Sequence, residues 1–117
     1  MSSFNKYPHV FSPIKIGGME VKNRMQFSPM VSSLSTPTGG VSPELLGYIK
    51  YQAQSGVGVI TIGSTPINHT NGVDFFGALD VTSDDNMTDL RRISEIVHRY
   101  GAKLSCELVH AGRSAPK

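Results

Sequence analysis

The run from Val57 to Ile62 constrains the fold more than any other stretch of the chain. It reads Val-Gly-Val-Ile-Thr-Ile, which is short, nearly all apolar and rich in β-branched side chains. Strands of this composition are typical of sheets covered on both faces, as in parallel sheets flanked by helices. We therefore expect a buried strand in an α/β protein.

Two amphipathic helix patterns alternate with three strand patterns. The first helix has Ser42 at a favourable N-cap position and Pro43 at its first turn, and the second ends at Gly101. In order, the predicted elements are the strand Arg24–Met30, a helix from Pro43 to a stop at Gly56, the strand Val57–Ile62, a helix from Asp84 or Asp85 to Gly101, and the strand Lys103–Val109. Alternating strands and helices predict parallel pairing with crossover connections.

A hairpin pattern precedes these elements. The segment Phe11–Asn23 alternates apolar and polar residues on either side of a Gly17–Gly18 turn. Two strands this short are not stable alone, so we expect the hairpin to lie across the end of the larger sheet. The polar residues Met1 to Val10 are expected to be frayed, with Tyr7 and Pro8 entering the fold.

Three parallel strands and two helices leave both edges of the sheet without partners. A complete (β/α)8 barrel needs about 250 residues, and this chain has 117. We therefore predict an α/β chain that forms the N-terminal part of a (β/α)8 TIM barrel preceded by a β-hairpin. Residues 1–117 would be a single partial domain, completed by the remainder of the barrel or by self-association as a homo-oligomer.

The segment from Leu104 to Arg113 ends in functional groups. Alternation places Leu104 and Cys106 on one face of the strand and Glu107 on the other. His110 and Arg113 follow the strand, at the carboxyl-end edge where barrel enzymes bind ligands. An ionisable group on a core strand is costly unless it faces a ligand or a partner, which favours a functional role for Glu107.

The other candidates have two readings each. His110 either binds substrate or an anion near a cofactor, or hydrogen-bonds a neighbouring loop. Arg113 either binds a cofactor or a substrate carboxylate or thioester, or pairs with an acid. Cys106 is expected to be a small buried hydrophobe. The Phe75–Phe76 pair, in a predicted loop from Gly63 to Ser83, lines the substrate side of the mouth or pins the loop.

Composition excludes several classes of function. The net charge is +2 with no basic run, which argues against nucleic-acid binding. No apolar run approaches the roughly 20 residues of a membrane helix, and Met1 to Val10 contain no apolar signal segment. We therefore expect a cytoplasmic setting. The single cysteine, Cys106, rules out a cysteine-built metal site within this chain, and the four histidines share no metal-ligand spacing.

Three motifs occur together in one order. They are the segment Phe11–Gly17 with Val21–Arg24 and Ser28–Pro29–Met30, the strand Val57–Ile62, and Glu107–Arg113, which reads Glu-Leu-Val-His-Ala-Gly-Arg. Together they resemble the N-terminal portion of the old yellow enzyme family, the NAD(P)H:flavin oxidoreductases and FMN-dependent ene-reductases. The resemblance covers nearly the whole chain from Phe11 on, and it is a strong indication of the family and a weak one of the substrate.

The resemblance implies a TIM barrel that binds FMN at its carboxyl-end mouth. The positions matching Ser28, Pro29 and Met30 lie along the flavin in this family. Val31 stands where many members have a Thr or Cys that hydrogen-bonds the flavin, so that route of tuning the potential is expected to be missing. The backbone at Gly63 or Ser64 is expected to contact the polar edge of the flavin.

Glu107 departs from the family pattern, in which a Gln contacts the pyrimidine ring. A carboxylate accepts a hydrogen bond from flavin N3–H. When ionised it disfavours the reduced flavin, so we expect a lowered reduction potential unless Glu107 is protonated or paired. The same Glu is found in some multidomain relatives, which also carry an iron–sulfur cluster and FAD beyond the barrel and reduce dienoyl-CoA, steroid or flavonoid-like enones.

The implied activity is the NAD(P)H-dependent reduction of the C=C bond of an α,β-unsaturated carbonyl or enoyl substrate. The family's catalytic residues come later in the barrel, so we expect no catalytic residue here and no activity from the 117 residues alone. His110 and Arg113 would be contacts at the rim of the flavin or substrate site. The alternatives are a non-catalytic, self-associating half-barrel and a non-flavin, phosphate-binding TIM-barrel enzyme.

Overall fold

The computed structural model describes residues 6–116. Two small sheets and three α-helices make up this part of the chain. The elements are α1 (Pro8–Phe11), β1 (Ile14–Ile16), β2 (Met19–Val21), β3 (Gln26–Phe27), α2 (Pro43–Gln54), β4 (Val59–Pro66), a 3-10 turn (Asp84–Asn86), α3 (Met87–Arg99), β5 (Lys103–Val109) and a second 3-10 turn (Gly112–Ser114).

The strands β3, β4 and β5 form a parallel sheet in that order. Ile60 of β4 pairs with Phe27 on one side and with Leu104 on the other. These three side chains contact the hydrophobic core. The predicted parallel pairing of the three strands is therefore confirmed.

The core lies between one face of this sheet and the helices α2 and α3. Both helices contribute fully buried side chains, among them Ile49 from α2 and Ile93 and Val97 from α3. Ser42 caps α2 as predicted, since its Oγ accepts a hydrogen bond from the Leu45 N–H at 3.0 Å. Both predicted amphipathic helices therefore occur, each with a buried apolar face.

The other face of the sheet carries a row of polar side chains. Gln26 Nε2 donates to Thr61 Oγ1 at 2.7 Å, and Thr61 Oγ1 lies 2.7 Å from Ser105 Oγ. This row crosses all three strands. In the described part of the chain no helix covers that face.

The hairpin β1–β2 lies across the amino end of the parallel sheet. Asn23, just after the hairpin, donates from Nδ2 to the Gly56 carbonyl at 2.8 Å, and Lys22 Nζ donates to the Tyr100 carbonyl at 2.6 Å. An ideal Cβ on Gly58 would lie 2.6 Å from Val21 Cγ1, so only glycine fits at this contact. The predicted position of the hairpin is confirmed, and it leaves the carboxyl end of the sheet free.

Four expectations need correction. The first strand is only Gln26–Phe27, because Pro29 has no N–H for the ladder. The second strand is β4, which begins later than predicted and continues to Pro66, past a shift in register between Ile62 and Thr65. Within Met1–Val10, the end is helical from Pro8, and residues 1–5 lie outside the described range.

The fourth correction concerns Cys106, which is exposed and not buried. Its parity is that of Leu104, as predicted, but β5 is an edge strand and no described helix covers it at this height. Partial burial still raises the pKa of the Cys106 thiol above its usual value.

None of the helices in residues 6–116 combines the length and the apolar character needed to cross a membrane.

Candidate functional site

A cleft opens at the carboxyl end of the parallel sheet. Five of the nine site residues predicted from the sequence line it, namely Ser28, Met30, Val31, Gly63 and Ser64. The strands β3 and β4 bring these residues together because they are parallel and end at the same edge. Met30 is 62% exposed, so the mouth of the cleft carries an apolar side chain open to a ligand.

The helix α2 supplies a wall of the cleft that the site prediction did not include. Tyr48 and Gln52 line it beside Leu45 and Ile49. The signal was available, since positions three, four and seven residues after Leu45 lie on one helical face. Gln52 is a buried polar residue on that face.

Pro29 and Glu107 meet at Gly63. An ideal Cβ on Gly63 would lie 2.7 Å from Pro29 Cβ, 3.1 Å from Glu107 Cβ and 3.2 Å from Glu107 Oε1. No other amino acid fits there without displacing one neighbour. Gly63 therefore lets the ends of three strands approach, and it places the Glu107 carboxylate beside the cleft.

The chain turns irregularly at Gly63 and Ser64. The peptide between them is cis, and the register between β4 and β5 shifts there. Just beyond, Thr65 is fully buried and donates from Oγ1 to the Glu107 carbonyl at 2.6 Å. Ser64 Oγ donates to Asp74 Oδ2 at 2.5 Å. No pattern in the sequence singles out Asp74 in its loop.

His110 contacts the loop that follows β4. Its ring lies against Gly72, where an ideal Cβ would be 2.9 Å from His110 Cδ2. Nδ1 accepts a hydrogen bond from the Gly112 N–H at 3.0 Å, so in the neutral ring the proton is assigned to Nε2. The Ala111 N–H also donates to the Gly72 carbonyl at 3.0 Å. The side chain of His110 thus hydrogen-bonds its own turn and packs against the neighbouring loop, and its contact with a ligand stays a prediction.

Arg113 lies in the exposed 3-10 turn after β5. Within residues 6–116 the ion pair is that of Arg92 with Asp89, and Arg113 forms none. The structure therefore does not bring Arg113 together with the cleft residues, and its guanidinium is free to meet an anionic group.

The two long loops are bound to each other. The Asp80 N–H donates to the Gly39 carbonyl at 2.8 Å, and the Ser35 N–H donates to the Gly77 carbonyl at 3.3 Å. The buried Asp80 carboxylate accepts from the Thr82 N–H at 2.8 Å and from Thr82 Oγ1 at 2.6 Å. Burial raises the pKa of Asp80, but the hydrogen bonds from Thr82 and the nearby His69 outweigh it, so the net shift is downward.

Phe75 and Phe76 stand at the outer end of the same loop. They line a second hollow together with His69, Thr36 and Pro37. Phe76 is 86% exposed, so it does not pin the loop to the core. A substrate-facing position is compatible with this exposure.

The donor and acceptor set suits a flat ligand with one polar edge. Met30 and Val31 line the cleft with apolar side chains and Ser64 with a hydroxyl. Pro29 and the Glu107 carboxylate adjoin it at Gly63. A flavin ring has both an apolar and a polar edge, so the residues present fit it. Residues 6–116 contain no cluster of three or more His, Cys, Asp or Glu side chains that could hold a metal ion.

Comparison with known proteins agrees with this geometry. The model of the NADH:flavin oxidoreductase / NADH oxidase family matches residues 9–117. An NADH oxidase from Thermoanaerobacter brockii is 33% identical over 107 residues, which are 92% of this chain and 16% of that protein. The chain thus spans about a sixth of the length of this relative.

Two solved structures share the fold. Old Yellow Enzyme from Pichia sp. AKU4542 superposes with a TM-score of 0.83 at 27% identity, over 92% of this chain and 28% of that one. The complex of 2-naphthoyl-CoA reductase with 2-naphthoyl-CoA superposes with a TM-score of 0.89 over 94% of this chain and 17% of that one. The second likeness, at 24% identity, concerns the fold alone.

Proposed function

The chain belongs to the NADH:flavin oxidoreductase / NADH oxidase family, and from this premise we propose that it forms the N-terminal part of the FMN-binding barrel of an NAD(P)H-dependent oxidoreductase. One observation carries the proposal. Residues that match the family's flavin-contacting positions, including Ser28, Met30 and Gly63, line a single cleft at the carboxyl end of the sheet. The closed eight-stranded barrel and the single partial domain of residues 1–117 are parts of the same proposal.

Each residue of the cleft has a role in the proposal. Pro29 and Met30 provide an apolar surface for the flavin ring. Val31 has no polar atom in its side chain, so it contributes contact and no hydrogen bond. The backbone of Gly63 and Ser64 meets the polar edge of the ring, and the Glu107 carboxylate accepts from an N–H of that edge.

Bound FMN would supply hydride transfer from NAD(P)H to the C=C bond of an activated carbonyl or enoyl substrate. This chain's own residues would bind and orient the flavin and shield one side of it from water. His110 and Arg113, at the rim, would contact an anionic part of the cofactor or the substrate. The proposal assigns no proton-transferring residue to this chain.

Other expected cofactors and functions are not part of the proposal. An iron–sulfur cluster and FAD were expected only in domains beyond these residues, and the proposed role of this chain does not depend on them. The family match also removes the grounds for a phosphate-binding aldolase or isomerase. A small-molecule substrate is the expected partner, with no role for nucleic acid.

The visible absorption spectrum of the longest native polypeptide that contains this sequence tests the proposal. We expect the two-band spectrum of bound flavin, released as FMN on denaturation, and no bound flavin in the 117-residue chain alone. Absence of flavin from the long polypeptide, even after added FMN and removal of excess, would contradict the proposal. An additional broad shoulder that bleaches on reduction would indicate an iron–sulfur cluster.

A further inference from the structure

Asp74 has one satisfied and one unsatisfied carboxylate oxygen. Oδ2 accepts a hydrogen bond from Ser64 Oγ at 2.5 Å. Oδ1 is buried and has no hydrogen-bond partner in the described part of the chain. A buried acceptor without a donor is costly, so this placement of a carboxylate needs an explanation beyond closing the loop.

Other groups already hold the loop that carries Asp74. Asn68 Oδ1 accepts from the backbone N–H groups of Thr70 and Asn71 at 2.9 and 3.2 Å. The Asp80 N–H and carboxylate fix the far end of the loop against Gly39 and Thr82. The distinct consequence of Asp74 is therefore its effect on Ser64.

A serine hydroxyl has one proton and two lone pairs. Because the Ser64 hydroxyl donates its hydrogen bond to Asp74, Ser64 can act toward the cleft only as an acceptor. Ser64 is only 8% exposed and lines the cleft, next to the glycine that contacts Glu107. Two acceptors, the Ser64 hydroxyl and the Glu107 carboxylate, then belong to the immediate neighbours of Gly63.

We propose that Asp74 is a positioning residue, which orients the Ser64 hydroxyl so that the edge of the cleft around Gly63 presents hydrogen-bond acceptors to an N–H-bearing edge of the bound cofactor. The inference rests on the proposed binding of FMN and goes beyond it, because it assigns a role to a side chain that does not line the cleft. Its action on the ligand passes through Ser64, so the two residues must act as one unit.

A double-mutant cycle in the native FMN-binding polypeptide tests this unit. Flavin fluorescence, which reports binding of FMN to the apoprotein, gives the dissociation constant. We expect Asp74→Ala and Ser64→Ala each to weaken FMN binding roughly tenfold, the loss of about one hydrogen bond to a charged or oriented group. The double variant should be no weaker than the single variants within about twofold, because coupled residues do not add.

Two further variants separate positioning from general loosening of the loop. Asp74→Asn keeps an acceptor oxygen for Ser64, so we expect it to bind FMN within about threefold of the wild type. Asp80→Asn disturbs the same loop away from Ser64 and should leave the FMN dissociation constant unchanged. The wavelength of the bound flavin's visible bands should shift in Asp74→Ala and Ser64→Ala but not in Asp80→Asn, and a merely structural role would not produce this pattern.

The outcomes are distinguishable. If the wild type binds FMN and Asp74→Ala binds it equally well, or if the two single effects add, the positioning role is wrong and the proposed function stands. An equal effect of Asp80→Asn would also overturn it in favour of loop stability. If the wild type binds no FMN, the proposed function fails and this inference falls with it.

Discussion

Gly63 shows how a single residue decides the shape of the site. Because Gly63 has no side chain, Pro29 and Glu107, which follow or belong to two different strands, can both pack against its backbone. In the sequence, Gly63 is a candidate through the family resemblance and not through any packing signal. The structure supplies the packing reason, which is that the three strand ends could not converge around any larger residue.

We expect Gly63→Ala to cost about 1–3 kcal/mol of stability and to weaken FMN binding, because the new Cβ would lie 2.7 Å from Pro29 Cβ. Gly47→Ala is the matched control, since an ideal Cβ at this helical position meets nothing within 4 Å. That change should stabilise the protein by about 0.5–1 kcal/mol. Chemical denaturation and FMN titration of both variants measure the two effects, and equal behaviour of the two would contradict the role of Gly63.

The lowered pKa of Asp80 makes the stability of its loop depend on pH. Its pKa is lowered in the folded chain, so its stabilising contribution is full above its ordinary value of 3.8 and is lost as the pH falls through the lower folded value. The charge of His69 contributes to this lowering. We expect Asp80→Asn to remove the contribution at neutral pH and to differ little from the wild type in strong acid.

Amide hydrogen exchange of peptides from 67–83, corrected for intrinsic rates, measures this difference at each pH. Asp80→Asn keeps an acceptor oxygen but loses the negative charge. The Thr82 N–H, which donates to Asp80 Oδ1 at 2.8 Å, should therefore be less protected than in the wild type at pH 7, without losing its protection completely. A protection difference that stays constant down to pH 2 would show that ionisation of Asp80 is not the cause.

At the scale of elements, the start of α2 connects the core to the cleft. The Ser42 hydroxyl accepts from the Leu45 N–H at 3.0 Å and donates to the Leu34 carbonyl of the preceding loop. We expect Ser42→Ala to lower the free energy of unfolding by about 1–2 kcal/mol, because both the cap and the loop contact are lost. Ser83→Ala removes a longer, more exposed cap bond of 3.3 Å to the Asp85 N–H, and thermal unfolding should show a clearly smaller loss.

Some elements can be predicted from signals within their own segment, and others depend on contacts with distant parts of the chain. Apolar periodicity and capping residues identified α2, α3 and β5, because these signals lie within each segment. The extension of β4 to Pro66 was missed, since Gly63 and Ser64 resemble loop residues and the pairing with β5 that continues the strand is a long-range contact. Likewise, Asp74 lies ten residues after Ser64, and the segment between the end of β4 and Asp74 is an irregular loop without periodicity.

At the scale of the whole molecule, the sheet has two unpartnered edges. In the described residues β3 and β5 each pair on one side only, and such edges are available to other strands. Leu108 adds an exposed apolar side chain on β5, at 63% exposure. Its parity is that of Leu104, whose side chain contacts the core, so Leu108 belongs to the face that a helix layer covers in a complete barrel.

This arrangement predicts that the 117-residue chain associates with itself when it is isolated, through a contact that the remainder of the proposed barrel would replace. Sedimentation velocity should show a mass that rises with concentration.

Leu108→Lys, which places a charge on the edge strand, should shift the equilibrium toward the monomer. Tyr51→Lys is the control, because Tyr51 is also exposed, at 75%, but belongs to the outer face of α2 and not to an edge strand. If both variants or neither changed the mass, association through β5 would be wrong. In that case the unpartnered edge of β5 would not be a site of association, and it would give no physical reason to expect further strands beside it.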